Sequence, residues 1–341
     1  MDNFDIIRAD FQPMLRCFDW NWLEGATFFI AGASGMIPSY MVRFLIYVRN
    51  ETGIKFKLVL LSKSTSKLSK IISQDINSPW IHVIENSVEG NWDYSGEITH
   101  ILHAASPASP LQYVNHPIDT VHANVHGTER LLRLCQSSPH ATFLYISSSE
   151  IYGYLGAADV FARESEIGSL DPMGPRACYP EAKRMGETLS MAWHKQHNID
   201  VRIARMFHTF GPGINLHDGR AFSDFMLQAK NGCNIVLRSN GLAKRSFAYL
   251  SDTVMGLFYI FCKGKSGEAY NVGNSSEVVT ISDFARIIAT EACVDVEYVL
   301  HDTPESQSAS VFPDTSKLES TGWSCLTSLQ AAVHKTYRSI L

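Results

Sequence analysis

The sequence predicts an α/β fold: a doubly wound parallel sheet followed by a smaller mixed α/β lobe. Three observations lead to this prediction. Short β-rich apolar runs alternate with longer segments of helical periodicity as far as residue 206, and one of these runs leads into a glycine turn. After Phe207 the pattern changes to shorter elements separated by loops rich in glycine and proline. Strands that alternate with helices imply a parallel sheet with helices on both faces.

The elements are assigned in chain order. Apolar residues at helical spacing (Phe4, Ile7, Phe11, Leu15) predict an N-terminal lead-in helix within residues 1–25. Residues 26–206 form the first domain, with strands at 27–31, 57–61, 98–104, 142–146 and 201–205 and helices at 36–48, near 131–135 and at 179–197. Residues 207–341 mainly form a second lobe for substrate binding, and some of its segments return to the first domain.

Composition limits the classes of function. The chain has 341 residues, of which 45% are hydrophobic and 18% charged, and this composition predicts a globular protein. Its formal net charge of −5 indicates that it does not bind nucleic acid. Seven scattered cysteines without a CxxC or HExxH motif predict no metal site. A leader peptide or membrane span is not indicated by any apolar run, and a cytoplasmic location is therefore expected.

A hydrophobic strand runs into the glycine turn Gly32-Ala33-Ser34-Gly35 and then into a helix that starts at Met36 and Ile37. Gly32 permits a tight turn, and Gly35 permits close approach of a pyrophosphate to the helix N-terminus. This strand–turn–helix context favours a Rossmann-like NAD(P)-binding domain at 26–206 over an ordinary βα turn.

Two features of this motif depart from an ordinary NAD site. Pro38 occupies the place of a third glycine, which would permit closer packing of the helix. The second strand ends in Ser62-Lys63-Ser64, with Lys67 nearby and no acidic residue for a ribose 2′-hydroxyl. These lysines either bind the 2′-phosphate of NADP or belong to a solvated loop, so the cofactor is NAD or NADP, with NADP slightly favoured.

A second group of residues predicts catalysis. Tyr179 and Lys183 are four residues apart and therefore share one face of a helix. A nearby cation and a positively charged nicotinamide favour the phenolate of Tyr179, which would then exchange a proton with a sugar hydroxyl. Upstream, the strand before Tyr152 ends in Ser147, Ser148, Ser149 and Glu150, at the edge where a parallel sheet exposes its site.

In this order, the glycine turn, the serine-rich strand end and YxxxK resemble the extended short-chain dehydrogenase/reductase superfamily. Within it, the sequence is most similar to UDP-glucuronate decarboxylases and related nucleotide-sugar epimerases, 4,6-dehydratases and ketosugar reductases. The matching stretches are 103–110, Asn124 with Gly127-Thr128, 174–179, Lys183-Arg184, 209–212, 218–220, 245–252, Pro313-Asp314 and Gly322-Trp323.

The resemblance implies roles for individual residues. Tyr179 would be the base that deprotonates a ring hydroxyl, usually at C4, while Lys183 would hold the nicotinamide ribose and Ser148 would share the hydrogen bond to the hydroxyl. Ser149 and Glu150 would complete the catalytic group. Implied cofactor contacts are Gly32, Ser34, Gly35, Met36, Ile37, Ser62, Lys63, Ser64, Lys67, His103, Ala104, Ala105, Asn124, Tyr179 and Lys183. Implied substrate contacts are Ser106, Pro107, Arg176, His208, Arg220 and Arg245.

Two departures from the decarboxylase pattern leave the reaction open. Val311 stands where those enzymes carry an arginine, and His208 replaces an expected asparagine. The substrate is then a UDP-, dTDP- or CDP-linked sugar, and the reaction is decarboxylation, epimerisation or dehydration. The alternatives are net reduction of a dTDP-4-keto-6-deoxyhexose or CDP-ketopentose by NAD(P)H, and a non-catalytic NADP-sensing protein. The resemblance also implies a homodimer that pairs through the helix of Tyr179 and Lys183.

Overall fold

The computed structural model of the protein describes residues 3–157, 159–299 and 310–341, without the side chains of residues 3–5. The predicted α/β fold is confirmed, because a seven-stranded parallel sheet with helices packed against it forms the centre of the molecule. Its strands are β1 (Thr27–Ala31), β2 (Lys57–Ser62), β3 (Ile81–Glu85), β4 (His100–His103), β5 (Thr142–Ser148), β7 (Asp200–Met206) and β12 (Glu268–Val272). The spatial order is β12-β7-β5-β4-β1-β2-β3.

The remaining strands form four two-stranded pairs. They are β6 (Val160–Ala162) with β15 (Val311–Pro313), β8 (Thr209–Phe210) with β11 (Ala248–Tyr249), β9 (Ile235–Leu237) with β14 (Val296–Tyr298), and β10 (Lys244–Ser246) with β13 (Val278–Thr280). The helices are α1 (Asn3–Arg16), α2 (Met36–Thr52), α3 (Thr65–Ile71), α4 (Pro110–Asn115), α5 (Pro117–Gln136), α6 (Cys178–His197), α7 (Ala221–Lys230), α8 (Leu250–Lys263), α9 (Ile281–Ala292), α10 (Ser316–Glu319) and α11 (Leu329–Ile340).

Two apolar cores cover the faces of the sheet. Helices α2 and α8 bury Phe44 and Phe258 on one face, and α5 with α6 covers the other face around Leu132 and Phe143. Strand order reverses beside β1, which lies between β2 and β4. In a doubly wound sheet, the crevice outside the carboxyl ends of such strands is where ligands bind. The fold therefore directs attention to the residues that follow β1, β2, β4 and β5.

The C-terminal lobe has a core of its own. Helices α7, α9 and α11 pack around Phe210, Phe247 and Phe284. The chain nevertheless returns to the main sheet, where β12 adds the edge strand next to β7. The lobe is thus attached to the carboxyl-end side of the sheet by chain segments that cross between the two parts.

The N-terminal helix α1 connects the two parts of the molecule. Asp10 is buried, and its carboxylate accepts hydrogen bonds from Tyr40 Oη of α2 at 3.0 Å and from Tyr249 Oη of β11 at 2.6 Å. Lys335 Nζ of α11 donates to the same carboxylate at 2.6 Å. A buried charge is tolerated when it is paired and hydrogen-bonded in this way, so the predicted lead-in helix is anchored to both the sheet and the lobe.

None of the helices in the described ranges is both long and apolar enough to cross a membrane.

Candidate active site

The glycine turn after β1 forms a cradle of backbone atoms, in which there is no room for a side chain at Gly32. Gly32 has a φ of +83°, and a Cβ at this residue would lie 2.8 Å from Ala105 Cα and 2.9 Å from the Ala104 carbonyl oxygen. Gly35 caps α2 with no side-chain hydrogen bond, so the first-turn N–H groups of the helix receive no side-chain acceptor from this residue. Pro38 is buried as the third residue of α2 and therefore lies within the first helical turn, where a missing N–H costs nothing. This arrangement fits a dinucleotide pyrophosphate.

The residues after β2 lie beside this cradle. Ser62 Oγ donates to Ser34 Oγ at 2.9 Å, and Ser64 caps α3 by accepting from the Lys67 amide at 3.2 Å. The side chains of Lys63 and Lys67 are exposed, and Lys63 Nζ lies 3.6 Å from the Glu89 carboxylate. The loop thus presents two cations, one of which already has an acidic neighbour. A preference for NADP stays a prediction.

The catalytic pair of the sequence prediction lies on α6, facing the end of β5. Lys183 is 2% exposed, and its ammonium donates to the Ile146 carbonyl at 2.6 Å and lies 5.8 Å from the centre of the Tyr179 ring. Burial lowers the pKa of Lys183 to about 7, although the Glu187 carboxylate acts in the opposite direction. Burial thus disfavours the ammonium form of Lys183, and the Glu187 carboxylate favours it.

Tyr179 is 7% exposed. Burial and the nearby Glu150 carboxylate raise the pKa of Tyr179 to about 12, and a hydrogen-bonding interaction with Ser148 only partly offsets this increase. The sequence prediction named a nearby cation and the positively charged nicotinamide together as favouring the phenolate, and among the protein groups alone burial has the larger effect on the pKa of Tyr179. The protein alone holds a neutral phenol, and further positive charge in the cleft is needed to turn Tyr179 into a base near neutral pH.

Ser148, Ser149 and Glu150 come together at the start of a short 3-10 turn, Ser149–Tyr152, which ends β5. Ser148 Oγ accepts from the Glu150 amide at 3.2 Å and so fixes the entry to the turn. The Glu150 carboxylate lies 3.6 Å from Arg176 Nη2, and burial raises the pKa of Glu150 despite this partner. Glu150 is thus suited to hold or release a proton.

Tyr113 of α4 is a site residue that the sequence analysis missed. Its buried ring stacks on Tyr179 with 5.0 Å between centroids and 13° between planes. Arg176 Nη2 donates to Tyr113 Oη, and a hydrogen bond from Tyr113 lowers the pKa of Glu150. Tyr113 belongs to no motif in the sequence. The one signal that could have placed it near the cleft is its position ten residues after His103, which was predicted to contact the cofactor.

The segment after β4 divides its residues between the interior and the cleft. His103 and Asn124 are buried, at 1% and 0% exposure, whereas Ala104, Ala105, Ser106 and Pro107 are partly exposed. Asn124 Nδ2 donates to Ser106 Oγ and to the Thr120 carbonyl, each at 2.8 Å, and Asn124 Oδ1 accepts from Tyr145 Oη at 3.2 Å. The Asn124 amide is therefore engaged within the protein, and it would act on a ligand by orienting Ser106.

His208, Arg220 and Arg245 come from three separate segments of the C-terminal lobe. Desolvation, with Arg245 and Arg220 nearby, lowers the pKa of His208 to about 3, and the residue is exposed. Arg220 donates to the Ala108 carbonyl and influences the pKa of both Tyr179 and Glu150, so it faces these two predicted catalytic residues. Arg245 Nη1 donates to Ser310 Oγ at 2.7 Å.

Val311 lies on β15, next to the segment 300–309, which is outside the described residues. The Val311 side chain packs against the buried cluster of Ile151, Tyr152, Ala162 and Phe207. The position that carries an arginine in the decarboxylase pattern is therefore apolar here. No cation reaches the cleft from the part of this strand that the structure describes.

Comparison with known proteins identifies the family. A model of the NAD dependent epimerase/dehydratase family matches residues 28–273. The chain belongs to the NAD-dependent epimerase/dehydratase family. UDP-glucuronic acid decarboxylase 6 of Arabidopsis thaliana is 34% identical over 298 residues, which cover 86% of this chain and 82% of that protein. UDP-glucuronic acid decarboxylase 3 of the same plant is also 34% identical, over 86% of this chain and 83% of that protein.

Solved structures of this family share the fold. UDP-glucuronic acid 4-epimerase from Bacillus cereus, in complex with UDP-glucuronic acid and NAD, superposes with a TM-score of 0.77 at 21% identity, over 92% of this chain and 98% of that chain. dTDP-glucose 4,6-dehydratase from Bacillus anthracis, in complex with NAD, has a TM-score of 0.73 at 19% identity, over 92% and 96% of the two chains. These structures show the shared fold, and the family model together with the two decarboxylases confirms the predicted superfamily.

Proposed function

We propose that the protein is a nucleotide-sugar enzyme of the decarboxylase type, which acts on UDP-glucuronate by oxidising the sugar ring at C4. The observation that carries the proposal is the arrangement of Ser148, Tyr179 and Lys183 at the strand ends, next to the glycine cradle and the Glu150–Arg176 pair. Similarity to two decarboxylases along most of the chain supports this choice of substrate.

The cofactor fits the residues that surround the crevice. The Gly32 cradle and the N-terminus of α2 would hold the pyrophosphate, and the Lys183 ammonium would hold the nicotinamide ribose. Bound NAD supplies the acceptor for the hydrogen and two electrons that leave the ring carbon, and its positive charge favours the phenolate. The Tyr179 phenolate then takes the proton of the C4 hydroxyl, while Ser148 keeps that hydroxyl in line.

The second half of the reaction follows from the chemistry of the sugar. Oxidation at C4 of a glucuronate creates a ketone one carbon away from the carbon that bears the carboxylate, and such a β-keto acid readily loses CO2. The carbon that loses CO2 then needs a proton, and return of the hydride to C4 with the Tyr179 proton going to the C4 oxygen would give UDP-xylose and restore NAD. Glu150 has a raised pKa and lies beside Tyr179, so it is the group in the cleft best suited to deliver a proton.

Val311 favours a second candidate, the net reduction of a nucleotide-linked 4-ketosugar. Without a cation from β15, the cleft has less positive charge for a sugar carboxylate than the decarboxylase pattern provides. A neutral dTDP- or CDP-linked ketosugar would not need that charge. In this reaction Tyr179 would give a proton to the ketone oxygen instead of taking one, and the reduced cofactor would be consumed.

Helices α5 and α6 favour assembly as a homodimer. Ile118 on α5 and Met185 on α6 are 66% and 47% exposed, and the two helices pack side by side. Pairing of this face with a second copy would bury both residues in a four-helix arrangement that includes the helix of Tyr179.

The experiment that tests the proposal is to incubate the protein and NAD with UDP-glucuronate and identify the products by mass spectrometry and NMR. UDP-xylose, or its 4-keto precursor, is expected, and Tyr179→Phe should form neither. Unchanged UDP-glucuronate, together with oxidation of NADPH in the presence of a 4-keto nucleotide sugar, would replace the proposal with the reductase.

A further inference from the structure

A buried ion pair lies one helical turn beyond Lys183. Arg205 of β7 donates from Nε to Glu187 Oε1 at 3.0 Å and from Nη2 to Glu187 Oε2 at 2.9 Å. The two side chains are only 7% and 12% exposed. A guanidinium that grips both carboxylate oxygens fixes the position of the carboxylate as well as its charge.

The pair is itself held from two sides. Arg205 Nη1 also donates to Tyr152 Oη at 3.1 Å and to the Glu164 carbonyl at 2.7 Å, and Tyr152 Oη donates to Asn271 Oδ1 at 2.6 Å. Tyr152 ends the turn that carries Glu150, and Asn271 belongs to β12. The Glu187 carboxylate is therefore locked into the framework behind the site and cannot swing toward solvent.

Among the described groups that face Lys183, Glu187 supplies a negative charge. His103 faces it from β4, Tyr145 from β5, and Tyr179 and Glu187 from α6. The pKa of His103 is lowered to about 3, that of Tyr179 is raised to about 12, and that of Tyr145 is raised well above its ordinary value. His103, Tyr145 and Tyr179 are thus neutral near pH 7, and the Ile146 carbonyl offers a hydrogen bond but no countercharge.

We propose that Glu187, clamped by Arg205, is a positioning residue that favours the ammonium form of Lys183 and so preserves it for the nicotinamide ribose. Burial alone favours the neutral amine, and the carboxylate one turn away opposes it. Removal of that carboxylate takes away the countercharge and leaves the buried Arg205 cation unpaired, and both changes make Lys183 lose its proton at a lower pH. The proposal rests on the proposed function only in taking a nicotinamide dinucleotide as the cofactor.

The test is to measure NADH affinity by fluorescence titration across the neutral pH range, without any sugar nucleotide. For the wild type, affinity should fall as Lys183 deprotonates. For Glu187→Gln, which retains the size and an acceptor for Arg205, the fall should move to lower pH by about one unit. The matched control is Glu181→Gln on the same helix, whose side chain is 39% exposed and lies 3.8 Å from Arg184, and its pH dependence should equal that of the wild type.

A double variant identifies the route of the effect. In a Lys183→Met background, Glu187→Gln should leave the pH dependence of NADH affinity unchanged, whereas a merely structural role would weaken binding at every pH in both backgrounds. If Glu187→Gln does not fold, Glu187→Asp is the second variant. Its side chain is one methylene shorter, so the carboxylate lies farther from Lys183, and the pH at which NADH affinity falls should move in the same direction by a smaller amount. An unshifted profile in the folded variant overturns the proposal, as does a wild type that binds NADH equally at every pH.

Discussion

The two walls of the cleft are built on different principles. The cofactor wall consists of the Gly32 cradle, the end of β5 and helix α6, so it presents backbone, buried side chains and short hydrogen bonds. The sugar wall, named for its proposed role, consists of His208, Arg220 and Arg245, which come from separate segments of the C-terminal lobe. In the proposed function, the first wall would fix the chemistry and the second would select the molecule on which that chemistry acts.

The largest expected effect is on the cofactor wall. Tyr179→Phe removes one hydroxyl from a ring that stays stacked on Tyr113, so the fold should persist while turnover falls by roughly a thousandfold. The measurement is the steady-state rate with UDP-glucuronate beside a circular dichroism spectrum. Activity within tenfold of the wild type would remove Tyr179 from its assigned role.

Gly32→Ala tests whether backbone alone lines this wall. The added Cβ would meet Ala105 Cα at 2.8 Å, so either the turn or the segment after β4 must shift, and NADH affinity should fall by about a hundredfold. Gly25→Ala is the matched control, because Gly25 has a similar φ of +75° but nothing within 4 Å of the new Cβ. Both variants should lose about 1 to 2 kcal/mol of stability from backbone strain, but only Gly32→Ala should lose the cofactor. Equal NADH binding by the two variants would show that the close approach is irrelevant.

The arginines of the sugar wall should affect the other ligand. If Arg220 and Arg245 bind the nucleotide diphosphate as proposed, Arg220→Ala or Arg245→Ala removes a charge-assisted hydrogen bond to it, and the KM for the nucleotide sugar should rise by about tenfold to a hundredfold. NADH affinity should stay unchanged in both variants. Arg286→Ala on α9 serves as the control, since Arg286 is exposed and its ion pair with Asp283 lies within that helix. A loss of NADH affinity in Arg220→Ala or Arg245→Ala would show that these arginines do not act on the nucleotide sugar alone.

The smallest effect is expected at the loop after β2. Lys63 already has Glu89 at 3.6 Å, and both lysines are exposed, so replacement of Lys63 and Lys67 by alanine should weaken NADP by roughly tenfold and NAD hardly at all. Titration of each reduced cofactor with the double variant measures the difference, and Lys70→Ala on α3 is the control. An equal loss of affinity for both cofactors would show that Lys63 and Lys67 do not bind a 2′-phosphate.

Much of the cofactor wall could be predicted because local sequence determines it. The strand–glycine–helix pattern and the four-residue spacing of Tyr179 and Lys183 impose their geometry within a few residues. Local sequence does not determine which side chains are buried or what surrounds them. The pKa of Tyr179 and the internal hydrogen bonds of Asn124 depend on neighbours from distant parts of the chain. The short strand β3, the helix α4 and the stacking of Tyr113 on Tyr179 were missed for the same reason.

The sugar wall was harder to predict because its residues have no shared motif. Arg220 and Arg245 were taken from resemblance, and their places follow from loops that the sheet and the α7–α9–α11 core hold together. Val311 was recognised from the sequence as a departure, but its packing against Ile151 and Phe207 emerges only in three dimensions.

The central claim is that a ring carbon of the nucleotide sugar is oxidised while Tyr179 takes the proton. The most direct test is rapid mixing of NAD-loaded protein with UDP-glucuronate that carries either hydrogen or deuterium at C4, followed by absorbance at 340 nm. The account predicts a transient rise that is slower with deuterium and absent in Tyr179→Phe. Product formation without a transient, at the same rate for both isotopes, would contradict it.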